Sequence, residues 1–147
     1  MCIRDRYKLK DYNEILVEKY IPGREIQAAV LGKKKLGAIE LIPSRKFYDY
    51  KAKYQKNAKT KHLMPAPLSQ ANYNKVNDIA LKAHKLLKCR GVSRSDFRFY
   101  NNKFYLLELN TQPGMTSLSL VPEIANYCGI NFQDLVEKIL LDASVNR

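Results

Sequence analysis

The chain has 147 residues, 46% of them hydrophobic, and its 26 Lys and Arg outnumber its 14 Asp and Glu to give a formal net charge of +12. This length and apolar content allow one buried core and exclude disorder over the whole chain. The positive charge predicts attraction to phosphate-bearing partners, whether nucleotide, nucleic acid or anionic lipid, and does not choose among them.

The sequence shows neither a membrane-spanning segment nor a secretion signal. No apolar run approaches the roughly 18 residues of a membrane span, and the N-terminus lacks the order of a signal peptide. Three cysteines without a CxxC pair favour a reduced protein. We therefore expect a cytoplasmic protein with no membrane partner.

The N-terminal half of the chain predicts strands and one long loop. Residues 1–13 have no helical or strand periodicity, so we expect a non-native or disordered lead segment there, followed by one unit over 14–147. Short β-branched runs at 15–17, 25–31 and 36–42, separated by Pro22-Gly23 and Gly32, predict strands. Residues 43–67 are polar, aromatic and basic without a sustained period, which predicts a functional or disordered loop.

The C-terminal half predicts a helix, a hairpin and two further helices. Apolar residues recur at three- and four-residue spacing from Val76 to Leu87 after Ser69, a good N-cap, and the stretch ends before Gly91. Residues 92–100 and 104–109 predict a β-hairpin. Helices are expected over 119–128 and after the cap Asn131. The predicted class is α+β, an antiparallel sheet packed with helices. Neither His62 nor His84 has a thiol or carboxylate at metal-ligand spacing, so both are expected on the surface.

The hairpin has two plausible registers with different chemical consequences. A two-residue turn at Asn101-Asn102 would place Asp96 opposite Leu107, and the two carboxylates of the hairpin on opposite faces. A three-residue loop would pair Tyr100 with Phe104 and Asp96 with Glu108. It would also pair Arg94 with Asn110 and leave an apolar second face of Phe97, Phe99, Tyr105, Leu107 and Leu109. The apolar pattern favours the three-residue loop.

Two opposed carboxylates on a sheet suggest a metal site. Like charges directly opposite repel unless a cation lies between them, and Mg²⁺ prefers carboxylate, carbonyl and phosphate oxygens. Asp96, Glu108 and Asn110 would supply such oxygens, with Arg94 beside them to hold developing negative charge. The alternative is an Arg-Asp surface salt bridge beside an unrelated glutamate, and the hairpin alone does not decide between the two.

The segment after the hairpin, NTQPGMTS, joins a strand end to a helix start, where free backbone N–H groups can hold an anion. Gly114 allows close backbone approach, and Ser119 can donate to a carboxylate. These features predict a substrate site, although a Pro-Gly turn alone is usually only a turn.

Several longer strings resemble the D-alanine-D-alanine ligase family of the ATP-grasp superfamily, and together they cover about residues 14 to 143. They are LVEKYIPGREI, FYDYKAKY, CRGVSRSDFR and LLELNTQPGMTSLSLVPEIANYCGINFQDLV. The resemblance implies an ATP-grasp C-terminal domain whose N-terminal lobe and most of whose central lobe have no counterpart here. It also implies ADP-forming ligation of two D-alanines through an acyl phosphate, for peptidoglycan precursors and hence for cell-wall biogenesis and cell shape.

The resemblance implies roles for individual residues. Glu18, Lys19 and Ile21 would bind adenine, largely through backbone groups, Glu25 would accept hydrogen bonds from the ribose, and Leu107 would lie under the adenine ring. The other implied roles concern the phosphates, the second substrate and the metal. Lys53 would contact the γ-phosphate, Arg94 the acyl phosphate, and Gly114 would donate its main-chain N–H to the oxyanion. Tyr54 would close over the second D-alanine, Ser119 and Leu120 would bind its carboxylate, and the metal ligands would be Asp96, Glu108 and Asn110.

The implied cofactors are ATP and two Mg²⁺ ions, with Mn²⁺ as an alternative. The implied partners are D-alanine and, for a full-length enzyme, a second subunit, without nucleic acid. Leu118 stands where the family commonly has histidine and Lys51 where it has glutamate, whereas Tyr54 favours a dipeptide product. Without the other lobes, we expect the chain to have little ligase activity. The alternatives are another ATP-grasp carboxylate-amine ligase and a basic nucleic-acid-binding module.

Overall fold

The computed structural model describes residues 14–42, 60–116 and 118–143. Within these residues the helices and strands occur in the following order. They are β1 (Arg24–Leu31), β2 (Lys34–Ile42), β3 (Lys61–Leu63), α1 (Gln70–Leu86), β4 (Val92–Tyr100), β5 (Lys103–Asn110), α2 (Leu120–Tyr127) and α3 (Phe132–Asp142). The lead segment predicted over residues 1–13 lies outside the described part.

The strands form one antiparallel sheet in the order β3-β2-β1-β4-β5. β1 is central because its run IQAAVL is apolar enough to be covered on both faces, whereas β5 is an edge strand and is exposed over most of its length. The predicted α+β class with an antiparallel sheet is confirmed.

Alternate residues of β1 belong to two separate core clusters. Ile26, Ala28 and Val30 pack with residues of α1, whereas Ala29 packs with residues of α2 and α3. Successive strand residues point to opposite faces, so α1 covers one face of the sheet and α2 with α3 cover the other. The second face carries the candidate site, on the part that the two helices leave uncovered.

α1 begins where the sequence predicted. The Ser69 side chain accepts a hydrogen bond from the Asn72 backbone N–H at 3.3 Å, as an N-cap does. Near the other end of the helix, His84 is 2% exposed and its Nδ1 lies 2.7 Å from Ser93 Oγ. The expectation of a surface histidine at position 84 is therefore wrong, because β4 supplies a polar partner under the helix. His62 is half-buried and paired with Glu123 Oε2 at 2.7 Å.

Two further expectations need correction. Residues 15–17 form no strand: the three side chains are largely exposed, and the segment has no neighbouring strand within the described residues to satisfy its backbone. Residues 61–63, predicted as loop, form β3, which pairs with the end of β2. Residues 64–67 of that predicted loop form no helix or strand, as expected, and residues 43–59 lie outside the described part.

Candidate active site on the open face of the sheet

The hairpin register at the site is the predicted one, but the turn is not. Asn101 and Asn102 form a two-residue turn with φ of 48° and 59°, so Tyr100 pairs with Lys103 rather than with Phe104. A β-bulge between Asp96 and Phe97 then inserts Leu107 as an extra residue and restores the pairing of Asp96 with Glu108. The three-residue loop is therefore wrong, and its carboxylate pairing is confirmed.

The same turn changes the apolar face of the hairpin. Phe104 and Leu106, rather than Tyr105 and Leu107, stand opposite Phe99 and Phe97. Phe104 lies 4.5 Å from Phe99 and 6.1 Å from Phe97 between ring centroids. Leu107 stays 51% exposed.

Strand register arranges the site residues in rows that cross the sheet. One row runs from Gln27 on β1 through Asp96 on β4 to Glu108 on β5. A second row lies on one side of it and a third row on the other. The second is Ala29-Arg94-Asn110, and the third is Glu25-Arg98-Tyr105. Residues two apart on a strand share a face, so all the polar members of these rows lie on one surface.

Arg94 holds Asp96 through a bidentate ion pair. Its Nε donates to Oδ1 at 2.7 Å and its Nη2 donates to Oδ2 at 3.0 Å, and both side chains are nearly buried, 11% and 10% exposed. Arg94 Nη2 is also 4.0 Å from Glu108 Oε1. The salt bridge considered for this hairpin therefore exists, but it is mostly buried, and Glu108 belongs to the same cluster.

Glu25 begins the row nearest the chain's N-terminal segment. Arg98 Nη2 lies 3.6 Å from Glu25 Oε2, and Arg98 Nη1 donates to the carbonyl of Gly23 at 3.1 Å. Glu25 therefore shares the open face with Asp96. Glu18 and Lys19 are exposed and Ile21 is half-buried in the segment that leads into β1, so these three are not members of the rows of the site.

The loop after β5 brings Gly114 and Ser119 into contact. A Cβ on Gly114 would lie 2.8 Å from Ser119 Oγ. Ser119 Oγ in turn accepts from the Thr116 backbone N–H at 3.0 Å and lies 2.9 Å from Thr116 Oγ1. Ser119 makes no side-chain capping bond to α2, so the first N–H groups of that helix have no side-chain cap from it. Leu120 is 6% exposed and its side chain packs in the core, so any contact of Leu120 with a ligand would be made by its backbone.

Asp96, Glu108 and Asn110 fit a hard cation by their donor atoms. Two carboxylates face each other across β4 and β5, and Glu108 is open to solvent, with 60% of its side chain exposed. Asn110 Oδ1 accepts from the Gln112 N–H at 2.9 Å, which fixes the amide and leaves a second lone pair. Oxygen donors of this kind suit Mg²⁺. No group of three or more His, Cys, Asp or Glu side chains in the described ranges could hold a metal, so the amide would have to complete the set.

Gln27 is the site residue that the sequence analysis missed. It is fully buried on the same face as Asp96, and neither its Nε2 nor its Oε1 has a hydrogen-bond partner. The available signal was a lone amide within the apolar run of β1. Lys53 and Tyr54, the predicted phosphate-binding and closing residues, lie outside the described part of the chain.

Comparison with known proteins decides the family. The family model described as D-ala D-ala ligase C-terminus matches residues 6–141. The chain belongs to the D-alanine-D-alanine ligase family. It is 66% identical over 139 residues to a D-alanine-D-alanine ligase of Pelagibacter ubique, a match that covers 95% of this chain and 46% of that relative. A second such ligase, from Paramagnetospirillum magneticum, is 48% identical over 90% of this chain and 45% of its own length.

Solved structures of the ligase family share the fold. The D-alanine-D-alanine ligase of Bacillus anthracis complexed with ATP matches with a TM-score of 0.72 and 30% identity, over 85% of this chain and 39% of that one. A D-Ala:D-Ser ligase of Enterococcus faecalis matches with a TM-score of 0.69 and 30% identity, over 83% and 36%. The predicted ATP-grasp C-terminal fold is confirmed, and the chain spans less than half the length of the relatives it matches.

None of the helices in the described residues is both long and apolar enough to cross a bilayer.

Proposed function

We propose that this chain is the C-terminal part of an ADP-forming ligase that joins two D-alanines through an acyl phosphate for peptidoglycan synthesis. The observation that carries the proposal is the row of opposed carboxylates, Asp96 and Glu108, with Arg94 between them. The row lies in a chain 66% identical to a relative named for this reaction.

ATP would bind over the open face of the sheet. Glu18, Lys19 and Ile21 would bind adenine beside the start of β1, Glu25 would accept hydrogen bonds from the ribose, and the exposed Leu107 offers apolar area to the base. The bound ATP of the Bacillus anthracis ligase, whose fold this chain shares, supports a nucleotide here. Lys53 would reach the γ-phosphate.

Asp96, Glu108 and Asn110 would hold two Mg²⁺ ions, with Mn²⁺ as a substitute. Such ions would neutralise the oxygens of the transferred phosphoryl group. Arg94 places its guanidinium beside the two carboxylates and would stabilise the negative charge of the acyl phosphate and of the tetrahedral species.

The second D-alanine would bind at the loop between β5 and α2. Its carboxylate would accept hydrogen bonds from Ser119 and from the Leu120 backbone N–H at the uncapped start of α2. The backbone N–H of Gly114 would donate to the developing oxyanion, and Tyr54 would close over the amine nucleophile, which attacks the acyl carbon and expels phosphate. In the complete enzyme we expect a cytoplasmic homodimer.

A chimera tests the proposal directly. Residues 14–143 would replace the matched part of the Pelagibacter ubique ligase, and D-alanine-dependent phosphate release would be measured. We expect activity in the chimera, a loss of at least about a hundredfold in kcat in the Glu108→Gln chimera, and little or none in the 147-residue chain alone. The control is Asp78→Asn on α1, an exposed carboxylate on the opposite face that pairs with Lys35.

The product is tested in the same chimera. A folded chimera without D-alanine-dependent turnover would contradict the ligase assignment. Because a D-Ala:D-Ser ligase shares this fold, D-serine, D-lactate and other amino acids are offered as acceptors beside D-alanine. If the chimera prefers one of these acceptors to D-alanine, the chain belongs to a ligase that joins D-alanine to that amine or hydroxyl acceptor instead.

A further inference from the structure

Gln27 is a buried amide without a partner. It is 0% exposed, and both its Nε2 donor and its Oε1 acceptor lack a hydrogen bond. Burying an amide without partners is unfavourable, and an apolar side chain of the same length would fill this position of β1 without that cost. A group of this kind indicates a hydrogen bond that forms in another state of the site.

Its position identifies the partner. Gln27 stands directly opposite Asp96 in the antiparallel pairing of β1 with β4, and residues so paired have Cβ atoms about 4.5–5.5 Å apart on one face. The Gln27 side chain extends beyond its Cβ by Cγ and the amide group, which is long enough for the amide to reach the Asp96 carboxylate. The same row continues to Glu108, so Gln27 lies behind the candidate metal ligands.

Arg94 occupies both Asp96 oxygens and also approaches Glu108, within 4.0 Å. A divalent cation between the two carboxylates would meet the guanidinium at close range, where like charges repel by several times the thermal energy. Arg94 must then release at least one Asp96 oxygen, and its freed N–H groups become available to a phosphate. Asp96 is 7% exposed, so water does not readily replace the lost donor.

We propose that Gln27 is a positioning residue for Asp96, donating from Nε2 to the carboxylate oxygen that Arg94 releases when the metal binds. The inference rests on the proposed metal site and adds a residue behind it. Gln27 thereby keeps the buried carboxylate oriented toward the cation while Arg94 turns to the substrate. Nearby ligand-orienting groups of this type commonly change metal affinity by about ten- to a hundredfold.

The test is the Gln27→Met variant of the chimera, which keeps the side-chain length and removes the donor. Mn²⁺ affinity in the presence of ADP is measured by electron paramagnetic resonance, and stability by urea unfolding. We expect affinity to fall about tenfold while stability is unchanged or higher. The matched control is Gln70→Met, an exposed glutamine on α1 that donates to Asn74, which should leave the affinity unchanged.

Unchanged Mn²⁺ affinity in Gln27→Met would overturn the inference, provided that Glu108→Gln lowers the affinity. If Glu108→Gln also leaves it unchanged, the proposed metal site fails, and the inference with it.

A second measurement covers a variant that does not fold. In the unmodified chimera the side-chain amide resonance of Gln27 is followed by NMR as Mg²⁺ and ADP are added. A metal-dependent shift supports the donated hydrogen bond. An amide resonance that does not respond to metal would mean that Gln27 makes no metal-dependent hydrogen bond, which contradicts the proposal.

Discussion

Gly114 and Ser119 lie so close that the side chain at position 119 decides what position 114 can be. A Cβ at 114 would be 2.8 Å from Ser119 Oγ but 3.7 Å from Ser119 Cβ. We expect Gly114→Ala to cost about 1 kcal/mol of stability through overpacking and to raise the KM for D-alanine in the chimera. Urea unfolding and steady-state kinetics measure the two effects.

Removing the colliding oxygen should rescue stability but not binding. In the Gly114→Ala/Ser119→Ala double variant the steric conflict is absent, so the stability costs of the two changes should be clearly less than additive. The KM should remain high because the proposed carboxylate donor is gone. Additive stability changes would show that the two residues are not in contact.

His84 makes the stability of the chain depend on pH. Burial lowers the pKa of His84 below its usual value of 6.5, against opposing effects from Asp142 and Cys89. Below pH 6.5 the unfolded state therefore binds a proton that the folded state resists, and stability falls as pH falls. We expect the urea-unfolding midpoint of His84→Gln to depend less on pH than that of the unmodified chain between pH 7.5 and about pH 5. Since the chain has two histidines, His62→Gln is the control, and a profile unchanged by His84→Gln would contradict the assignment.

At the scale of elements, the β4–β5 turn is held by two asparagines in the left-handed region. Asn102 has φ of 59°, and its Oδ1 accepts from Asn72 Nδ2 at 2.8 Å. Asn102→Ala and Asn102→Gly both lose that bond, so the difference between them isolates the backbone. We expect the alanine variant to be less stable than the glycine variant by about 1 kcal/mol in urea unfolding. Equal stabilities would mean that the turn relaxes to another conformation.

The hairpin also shows what sequence patterns determine. The pairing of Asp96 with Glu108 could be predicted because polar and apolar positions alternate on both strands. The bulge at Leu107 could not, because a two-residue turn plus one extra residue gives the same register at the site as a three-residue loop. The two cases differ near the turn, where the pairing of Tyr100 with Lys103 and the φ values of Asn101 and Asn102 identify the two-residue turn.

Features that depend on tertiary partners were beyond the sequence. Nothing local to Gln27 shows that its amide is buried without a partner opposite Asp96, because the burial comes from packing of distant elements. His84 is similar, since its partner Ser93 lies on the strand beneath α1. The helices, by contrast, were predictable from caps that are local, such as Ser69 and Asn131.

At the scale of the whole molecule, helices pack on one face of the sheet and on part of the other, and the candidate site lies on the remaining part. α1 covers one face, α2 and α3 cover part of the other, and the remaining surface near β4 and β5 carries the paired acids. The chain as a whole has a formal net charge of +12, and that charge alone would also suit a nucleic-acid-binding module. The two interpretations predict opposite responses to a single substitution.

Glu108→Gln adds one unit to the formal net charge of +12. If the chain binds polyanions through its charge, the variant should bind a single-stranded oligonucleotide slightly more tightly, with a steep salt dependence. If Glu108 holds the metal of a nucleotide, the variant should lose magnesium-dependent ADP binding by about tenfold or more. We expect the second result, measured by calorimetric titration of ADP with and without Mg²⁺ into the chain and the chimera. Oligonucleotide binding that survives Asp96→Asn and Glu108→Gln, with no magnesium-dependent ADP binding in either protein, would favour the nucleic-acid module, because only that function needs the charge and not the carboxylates.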